Sequence, residues 1–195
     1  MKRLLDVTFV LAASVVVVPL VAVLAVAVWM GGGSPFYTQT RVGRGGRTFR
    51  IYKLRTMVPN AEAILAERLS ESPALREEWN STQKLKEDPR ITTFGRLLRK
   101  SSLDELPQLM NVLRGDMSLV GPRPMLESQV SLYPGSAYYR LRPGLTGFWQ
   151  ISDRNECDFS DRARFDEAYD RSLSLGTDLR VLAATVGVVL RGTGY

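Results

Sequence analysis

The sequence predicts a mainly α-helical protein with one small β-hairpin and a membrane helix at its N-terminus. Three observations carry that reading. Residues 7–30 form an uncharged, apolar run, longer than the roughly 20 residues that cross a bilayer. Two alternating, β-prone stretches at 36–42 and 48–54 flank Gly43-Arg44-Gly45-Gly46, the pattern of a hairpin and its turn. Most of the remaining chain is charged or amphipathic at helical spacing.

The apolar run comes first. Lys2 and Arg3 precede it and Ala25-Val26-Ala27 lies near its end, as in a cleaved signal sequence. Yet the run exceeds a hydrophobic region of about 7–15 residues, and Asp6 does not suit that flank, so retention in the membrane is expected. Basic residues lie on both sides: Lys2 and Arg3 before, Arg41, Arg44, Arg47, Arg50, Lys53 and Arg55 after. The positive-inside rule favours both flanks in the cytoplasm, which a straight span violates on one side and a helix that turns back satisfies. Pro19, at the centre, removes a backbone hydrogen bond and crowds the Val15 carbonyl. Ser14 is placed to satisfy backbone groups freed there. A kinked span and a helix that enters and turns back both fit these residues.

Gly31-Gly32-Gly33-Ser34-Pro35 ends the run as a flexible break. The Gly-Arg-Gly-Gly of the hairpin lacks the Lys-Ser/Thr of a phosphate loop and opens onto no helix, so it reads as a turn. Residues 61–86 are helix-prone, charged and broken near Ser72-Pro73, with most of that charge on a solvated face. Asp88-Pro89-Arg90 is a turn. Residues 93–99 form a short amphipathic helix with Phe94, Leu97 and Leu98 on one side, and residues 106–113 another. The prolines of Val120-Gly-Pro-Arg-Pro124 exclude a helix there. Residues 173–190 carry Leu179, Leu182, Val186, Val189 and Leu190, which suits an amphipathic or buried helix, able on an anchored protein to lie in the membrane interface.

Composition narrows the chemistry. The 195 residues hold 26 Lys and Arg against 20 Asp and Glu, for a net charge of +6. Such a chain favours anionic partners. There is no histidine and one cysteine, Cys157. Ser-His-Asp hydrolysis, Cys-His catalysis and the common histidine zinc sites are thereby excluded. Carboxylates, basic side chains and an oxygen-bound cation such as Mg²⁺ remain.

The informative stretch is Arg99-Lys-Ser-Ser-Leu-Asp-Glu-Leu-Pro-Gln108. Its adjacent carboxylates, Asp104 and Glu105, lie beside two cations, an arrangement able to hold a metal ion next to a phosphate. Ser102 and Glu105 also match a helix capping box, which makes Asp104 a first-turn acid. The two readings are compatible, because a helix start attracts phosphate and its field lowers a carboxylate pKa, keeping it ionised. Arg123, stiffened by a proline on each side, suits a planar contact with phosphate or a base edge. Arg154, after Phe148-Trp149, is a further candidate, and Lys53 and Arg55 face either headgroups or substrate.

Taken in order, these segments resemble the small bacterial phosphoglycosyl transferases, monotopic enzymes that begin glycan assembly on polyprenyl phosphate. The resemblance rests on Lys2-Arg3, Arg41-Val-Gly, Ile51-Tyr-Lys-Leu-Arg-Thr-Met57 and Asp88-Pro-Arg-Ile-Thr92. It continues through Ser102-Leu-Asp-Glu-Leu-Pro-Gln-Leu109, Gly115-Asp-Met-Ser-Leu-Val-Gly-Pro-Arg-Pro124, Arg142-Pro-Gly-Leu-Thr-Gly147 and Arg154-Asn155. It implies that Asp104 attacks the phosphate nearest the sugar of a nucleotide sugar, with UDP as the expected nucleotide. A covalent phosphosugar would form and pass to undecaprenyl phosphate in a ping-pong scheme. Mg²⁺ would bridge the Asp104-Glu105 region and the diphosphate. Glu105 would bind metal or handle protons, Arg99 and Arg154 would hold phosphate, and Arg123 the nucleotide. Lys53 joins this nucleotide- and phosphate-binding set.

The resemblance also implies a re-entrant helix broken at Pro19 over residues 1–33. Residues 34–195 would then be a catalytic domain on the cytoplasmic face of the inner membrane, in contact with phospholipids and without a nucleic-acid partner. Val18 replaces the serine that often precedes the breaking proline, and Asp153 replaces a common glycine before Arg154. With no further domain ahead of Met1, the minimal form of the family is expected. The competing reading is a non-catalytic, membrane-anchored protein binding anionic lipid or nucleic acid through its basic face.

Overall fold

The computed structural model describes residues 1–83, 85–152 and 158–191. It is mainly helical, with the hairpin at its expected place. Helix α1 (Lys2–Met30) is followed by strands β1 (Phe36–Val42) and β2 (Thr48–Leu54), antiparallel with Phe36 opposite Leu54 and Val42 opposite Thr48. Gly45 and Gly46 of the turn have φ of 69° and 78°, a region costly for any side chain. Helices α2 (Ala61–Glu71) and α3 (Pro73–Thr82) meet at Ser72, whose hydroxyl accepts from the Leu75 amide while Pro73 takes the first helical position. Helix α4 (Thr93–Lys100) is capped by Thr92. A 3₁₀ helix (Leu103–Gln108) leads into the short α5 (Leu109–Arg114).

A second sheet was not foreseen. Strand β3 (Ser118–Val120) pairs in parallel with β4 (Gly144–Thr146). Three residues are too few for alternation to register in the sequence. The short helices α6 (Ala137–Arg140) and α7 (Phe148–Ile151) lie on either side of β4, and α8 (Arg162–Arg171) and α9 (Leu175–Arg191) close the described chain.

Helix α1 carries 29 residues, about 44 Å at 1.5 Å per residue, and is apolar and long enough to cross a membrane. Pro19 lies inside one continuous helix, so the expected break is not an interruption of helical structure. Nor does Ser14 serve the Val15 carbonyl: its hydroxyl donates to Leu11, 2.7 Å away, the usual back-bond of a helical serine.

Both ends of α1 dock on the same body. At the start, the Lys2 ammonium donates to the Asp178 carboxylate at 2.6 Å and to the Tyr169 hydroxyl at 2.9 Å. Arg3 donates to the carbonyls of Val112 and Leu113, at the end of α5. Asp6, fully buried, accepts from the Ser118 hydroxyl at 2.8 Å and the Leu119 amide at 3.1 Å. Val10 joins the main core with Ile51, Val112, Met117 and Leu119. At the far end, Ala25 and Val28 pack with Leu54 and Leu98, and Arg55 donates to the Gly32 carbonyl. The opposite face, including Val15, Val18, Val23 and Val26, is exposed.

Helix α4 turns differently from expectation. Leu98 is buried, whereas Phe94 and Leu97 face outward, because Gly95 sits directly on the Thr56 backbone and sets the inward face. In α9, Thr177, Asp178 and Val181 point inward and Leu179, Val186 and Leu190 remain exposed.

The docking of α1 is testable without any assay of activity. Asp6→Ala leaves the Ser118 hydroxyl and the Leu119 amide buried without an acceptor, which costs about 1–3 kcal/mol per group. Thermal unfolding in detergent should register that loss, while Leu4→Ala, at a 72% exposed side chain, should change little.

Candidate active site

Glu105 is the meeting point of three segments. Its Oε1 accepts from the Lys53 ammonium of β2 at 2.6 Å and from the Arg123 guanidinium of the loop after β3 at 2.9 Å. The capping box therefore does not form. Ser102 adopts a left-handed backbone (φ 56°) and its side chain makes no cap bond, so the Glu105 side chain is free to turn inward.

Each cation is held in place by backbone geometry. Lys53 lies two residues beyond buried Ile51 and so shares its face of β2. The strand is fastened by Asn111, fully buried in α5, which donates to the Arg50 carbonyl at 2.7 Å and accepts from the Tyr52 amide at 3.2 Å. Arg123 rides a loop pinned on both sides. The Pro122 carbonyl accepts from the Gly144 amide at 2.7 Å, and the Pro124 carbonyl accepts from Arg41 at 3.3 Å. A side chain at Gly144 would strike the Gly121 backbone, so glycine is what lets the two segments meet.

Asp104 differs from its neighbour. It is 6% exposed, the Lys53 ammonium stands 4.0 Å away, and its carboxylate accepts no hydrogen bond among the described residues. Burial raises its pKa, Lys53 and Arg99 pull it down, and the adjacent Glu105 charge pushes it up. The expected lowering by a helix start is overturned: α5 is only 6 residues long and begins beyond Asp104. Burial would also raise Glu105, but Arg123 and Lys53 outweigh it and hold that carboxyl well below the usual range. Arg99 donates its Nε–H to the Thr56 hydroxyl at 2.9 Å and stands close enough to Asp104 for their charges to interact.

Two further basic residues went unnoticed as site residues in the sequence. Arg41 lines the cavity beside Glu105, and burial with Arg123 nearby lowers its pKa to about 10. Arg162 stacks its guanidinium between Trp149 and Phe159, at 4.2 and 4.4 Å, and Trp149 also receives Arg123 at 5.9 Å. Nothing in the spacing of Arg162 announces this contact. Arg154 and Cys157 lie outside the described residues.

The cluster thus joins Lys53, Arg99, Asp104, Glu105 and Arg123. Cations outnumber carboxylates, which suits a multiply charged anion such as a diphosphate. Among the described residues no group of three or more acidic, histidine or cysteine side chains could enclose a metal. The donor set nonetheless fits Mg²⁺, which is commonly held by one or two carboxylates together with substrate phosphates. Asp104 is the better ligand, since Glu105 already serves two cations.

Comparison with known proteins gives a consistent result. A family model described as bacterial sugar transferase matches residues 1–192. The UDP-galactose-lipid carrier transferase of Erwinia amylovora is 45% identical over 196 residues, covering 100% of this chain and 41% of that protein. The undecaprenyl-phosphate galactose phosphotransferase of Salmonella typhimurium is likewise 45% identical, with 100% and 41% covered. The exopolysaccharide production protein ExoY of Sinorhizobium fredii is 45% identical, with 99% and 87% covered. The chain therefore spans about two fifths of the first two relatives and most of the third.

The two carboxylates should respond oppositely to neutralisation. Glu105→Gln strands Lys53 and Arg123 and should destabilise the fold by about 2–3 kcal/mol, somewhat below the ~3–5 of a fully buried pair. Asp104→Asn removes a charge that burial disfavours and should be neutral or stabilising. The pH dependence follows from the shifts. Glu105, lowered, contributes stability above its unfolded value near ~4.3, lost on acidification. Asp104, raised, contributes below ~3.9 and loses that contribution as pH rises. Thermal unfolding of both variants between about pH 2 and 8 should show the Glu105→Gln deficit shrinking as pH falls below about 4.3 and any Asp104→Asn gain growing as pH rises above about 3.9.

Proposed function

The chain belongs to the bacterial sugar transferase family, and we propose that it transfers a phosphosugar from a UDP-sugar to undecaprenyl phosphate through a covalent intermediate on Asp104. The observation that carries this reading is Asp104 itself: a buried carboxylate bound by no hydrogen-bond donor among the described residues, set among Lys53, Arg99 and Arg123. A carboxylate so placed keeps its lone pairs available for attack.

In the first half-reaction an Asp104 oxygen bonds to the sugar-proximal phosphorus while the bond to the bridging oxygen breaks. UMP leaves with that electron pair. In the second, an oxygen of the lipid phosphate attacks the same phosphorus and Asp104 departs as a carboxylate, leaving a lipid diphosphate sugar. Attack of anion on anion requires positive charge nearby. Lys53, Arg99 and Arg123 supply it, and Arg154 is assigned to the same task by resemblance. Arg123, beside Trp149, is assigned to the nucleotide. Glu105 keeps Lys53 and Arg123 at fixed positions, a task added to the metal binding or proton handling that the family pattern implies. A Mg²⁺ ion held by Asp104 and Glu105 would offset diphosphate charge.

The same reading places residues 1–33 in the cytoplasmic membrane as a re-entrant helix, with residues 34–195 on the cytoplasmic face. Lys2 and Gly32 both meet the same body, which supports keeping both flanks on one side. The exposed apolar residues of α1 and α9 then face lipid. The reaction would open glycan or exopolysaccharide assembly, in keeping with the relatives' names. The basic surface also suits a simple anionic-lipid binder, but such a protein needs no buried carboxylate at the centre of its cations.

Three experiments test the mechanism. Asp104→Asn should abolish UMP release, lowering it at least ~10³-fold as expected for loss of a nucleophile, whereas Lys53→Ala should only weaken it. Incubation with a UDP-sugar but no lipid should yield a sugar-phosphate adduct on Asp104 by mass spectrometry; turnover without an adduct would indicate single direct displacement. The third is a pH profile. Lys53 lowers the Asp104 pKa and Glu105 raises it, and the nucleophile must be deprotonated. The acid limb of kcat/KM should therefore move up in Lys53→Met and down in Glu105→Gln.

A further inference from the structure

Gln108 closes the 3₁₀ helix that carries Asp104 and Glu105. In such a helix, residues three apart eclipse one another, so Gln108 lies on the face of Glu105. Its side chain is 2% exposed, and its Nε2 is buried with no hydrogen-bond partner among the described residues. A buried amide left unpaired costs about 1–3 kcal/mol and calls for an explanation in a native fold. The same residue lines a cavity of about 30 Å³ beside Glu105, Lys53, Arg123 and Arg41, whose other walls include Ile51 and Leu145.

We infer that Gln108 is a substrate-binding residue that hydrogen-bonds one hydroxyl of the transferred sugar. The inference rests on the transferase reading above. Three features favour a sugar hydroxyl over a phosphate oxygen. The phosphates have cations to meet them, whereas Gln108 is neutral. An amide offers both a donor and an acceptor, and so does a hydroxyl, while an ionised phosphate only accepts. The cavity has room for a water or a hydroxyl, and the aliphatic side chains of Ile51 and Leu145 suit the C–H face of a sugar ring. A site built to bond a hydroxyl discriminates strongly against analogues that lack it, so Gln108 becomes a determinant of which sugar is carried.

The test is a chemical double-mutant cycle on the full chain in detergent with undecaprenyl phosphate, scoring UMP release. Wild type, Gln108→Leu and Gln108→Glu are compared on UDP-glucose, UDP-galactose, their N-acetylamino counterparts and the monodeoxy analogues of the preferred donor. Gln108→Leu should lower kcat/KM on that donor by about 10–100-fold. On one particular deoxy analogue it should cause little further loss, so the ratio between donor and analogue collapses toward one. A misfolded site would scale all donors alike. Equal losses in both variants across every donor and analogue, with thermal unfolding unchanged from wild type, would overturn the inference and assign Gln108 to phosphate or to packing, as would unchanged kinetics. Wild-type silence toward every UDP-sugar would overturn the transferase reading, and this inference with it.

Discussion

The site depends on one carboxylate bonded to two cations. Glu105 joins the 3₁₀ helix, strand β2 and the loop after β3 at a single oxygen, with Lys53 and Arg123 within 2.9 Å of it. Three segments far apart in sequence are thereby brought to one spot. Asn111 fixes the strand from behind, and Arg41 with Gly144 fixes the loop. A buried ion pair is a poor source of net stability, because desolvation offsets much of the attraction. Its value here lies in position, since Lys53 and Arg123 cannot wander while Glu105 holds them.

That pairing also divides labour between adjacent acids of similar intrinsic chemistry. Glu105 is saturated with positive charge and stays ionised. Asp104, one residue earlier, has burial and the Glu105 charge against it, and cations that make it no hydrogen bond, Lys53 foremost and then Arg99 and Arg123, in its favour. Its charged form is the less stabilised of the two, and therefore the more reactive. The environment sets this difference; residue type alone does not.

Much of the architecture was legible in the sequence for local reasons. Chain alternation and a glycine turn defined β1 and β2 to the residue, and Ser72-Pro73 marked the joint between α2 and α3. The apolar run defined α1 from its length alone. What escaped were features set by distant partners. Ser102 and Glu105 obeyed the spacing of a capping box, yet Lys53 and Arg123 compete for Glu105 more strongly than a backbone amide does. Phe94 and Leu97 read as inward with Leu98, until the contact of Gly95 with Thr56 turned that face outward. Strands β3 and β4 were too short to show a period. Asp6 looked like a misplaced charge because its partners, Ser118 and Leu119, lie more than a hundred residues away. Asp104, Glu105 and Arg99 stood out as candidates because they share one short stretch, and Lys53 and Arg123 through the ordered motifs of the resemblance. Arg41, Arg162 and Gln108 became visible as candidate site residues only once the chain was folded around them.

The long reach of the α1 contacts also orders events in time. Lys2 leaves the ribosome 176 residues ahead of Asp178, its ion-pair partner, and at roughly 5–20 residues per second that gap lasts on the order of 10–35 s. The partners of Arg3 and Asp6, between Val112 and Leu119, emerge well before that, but Lys2 stays solvated at the start of α1 until Asp178 arrives. Assembly therefore ends at Asp178, the partner for which Lys2 waits longest.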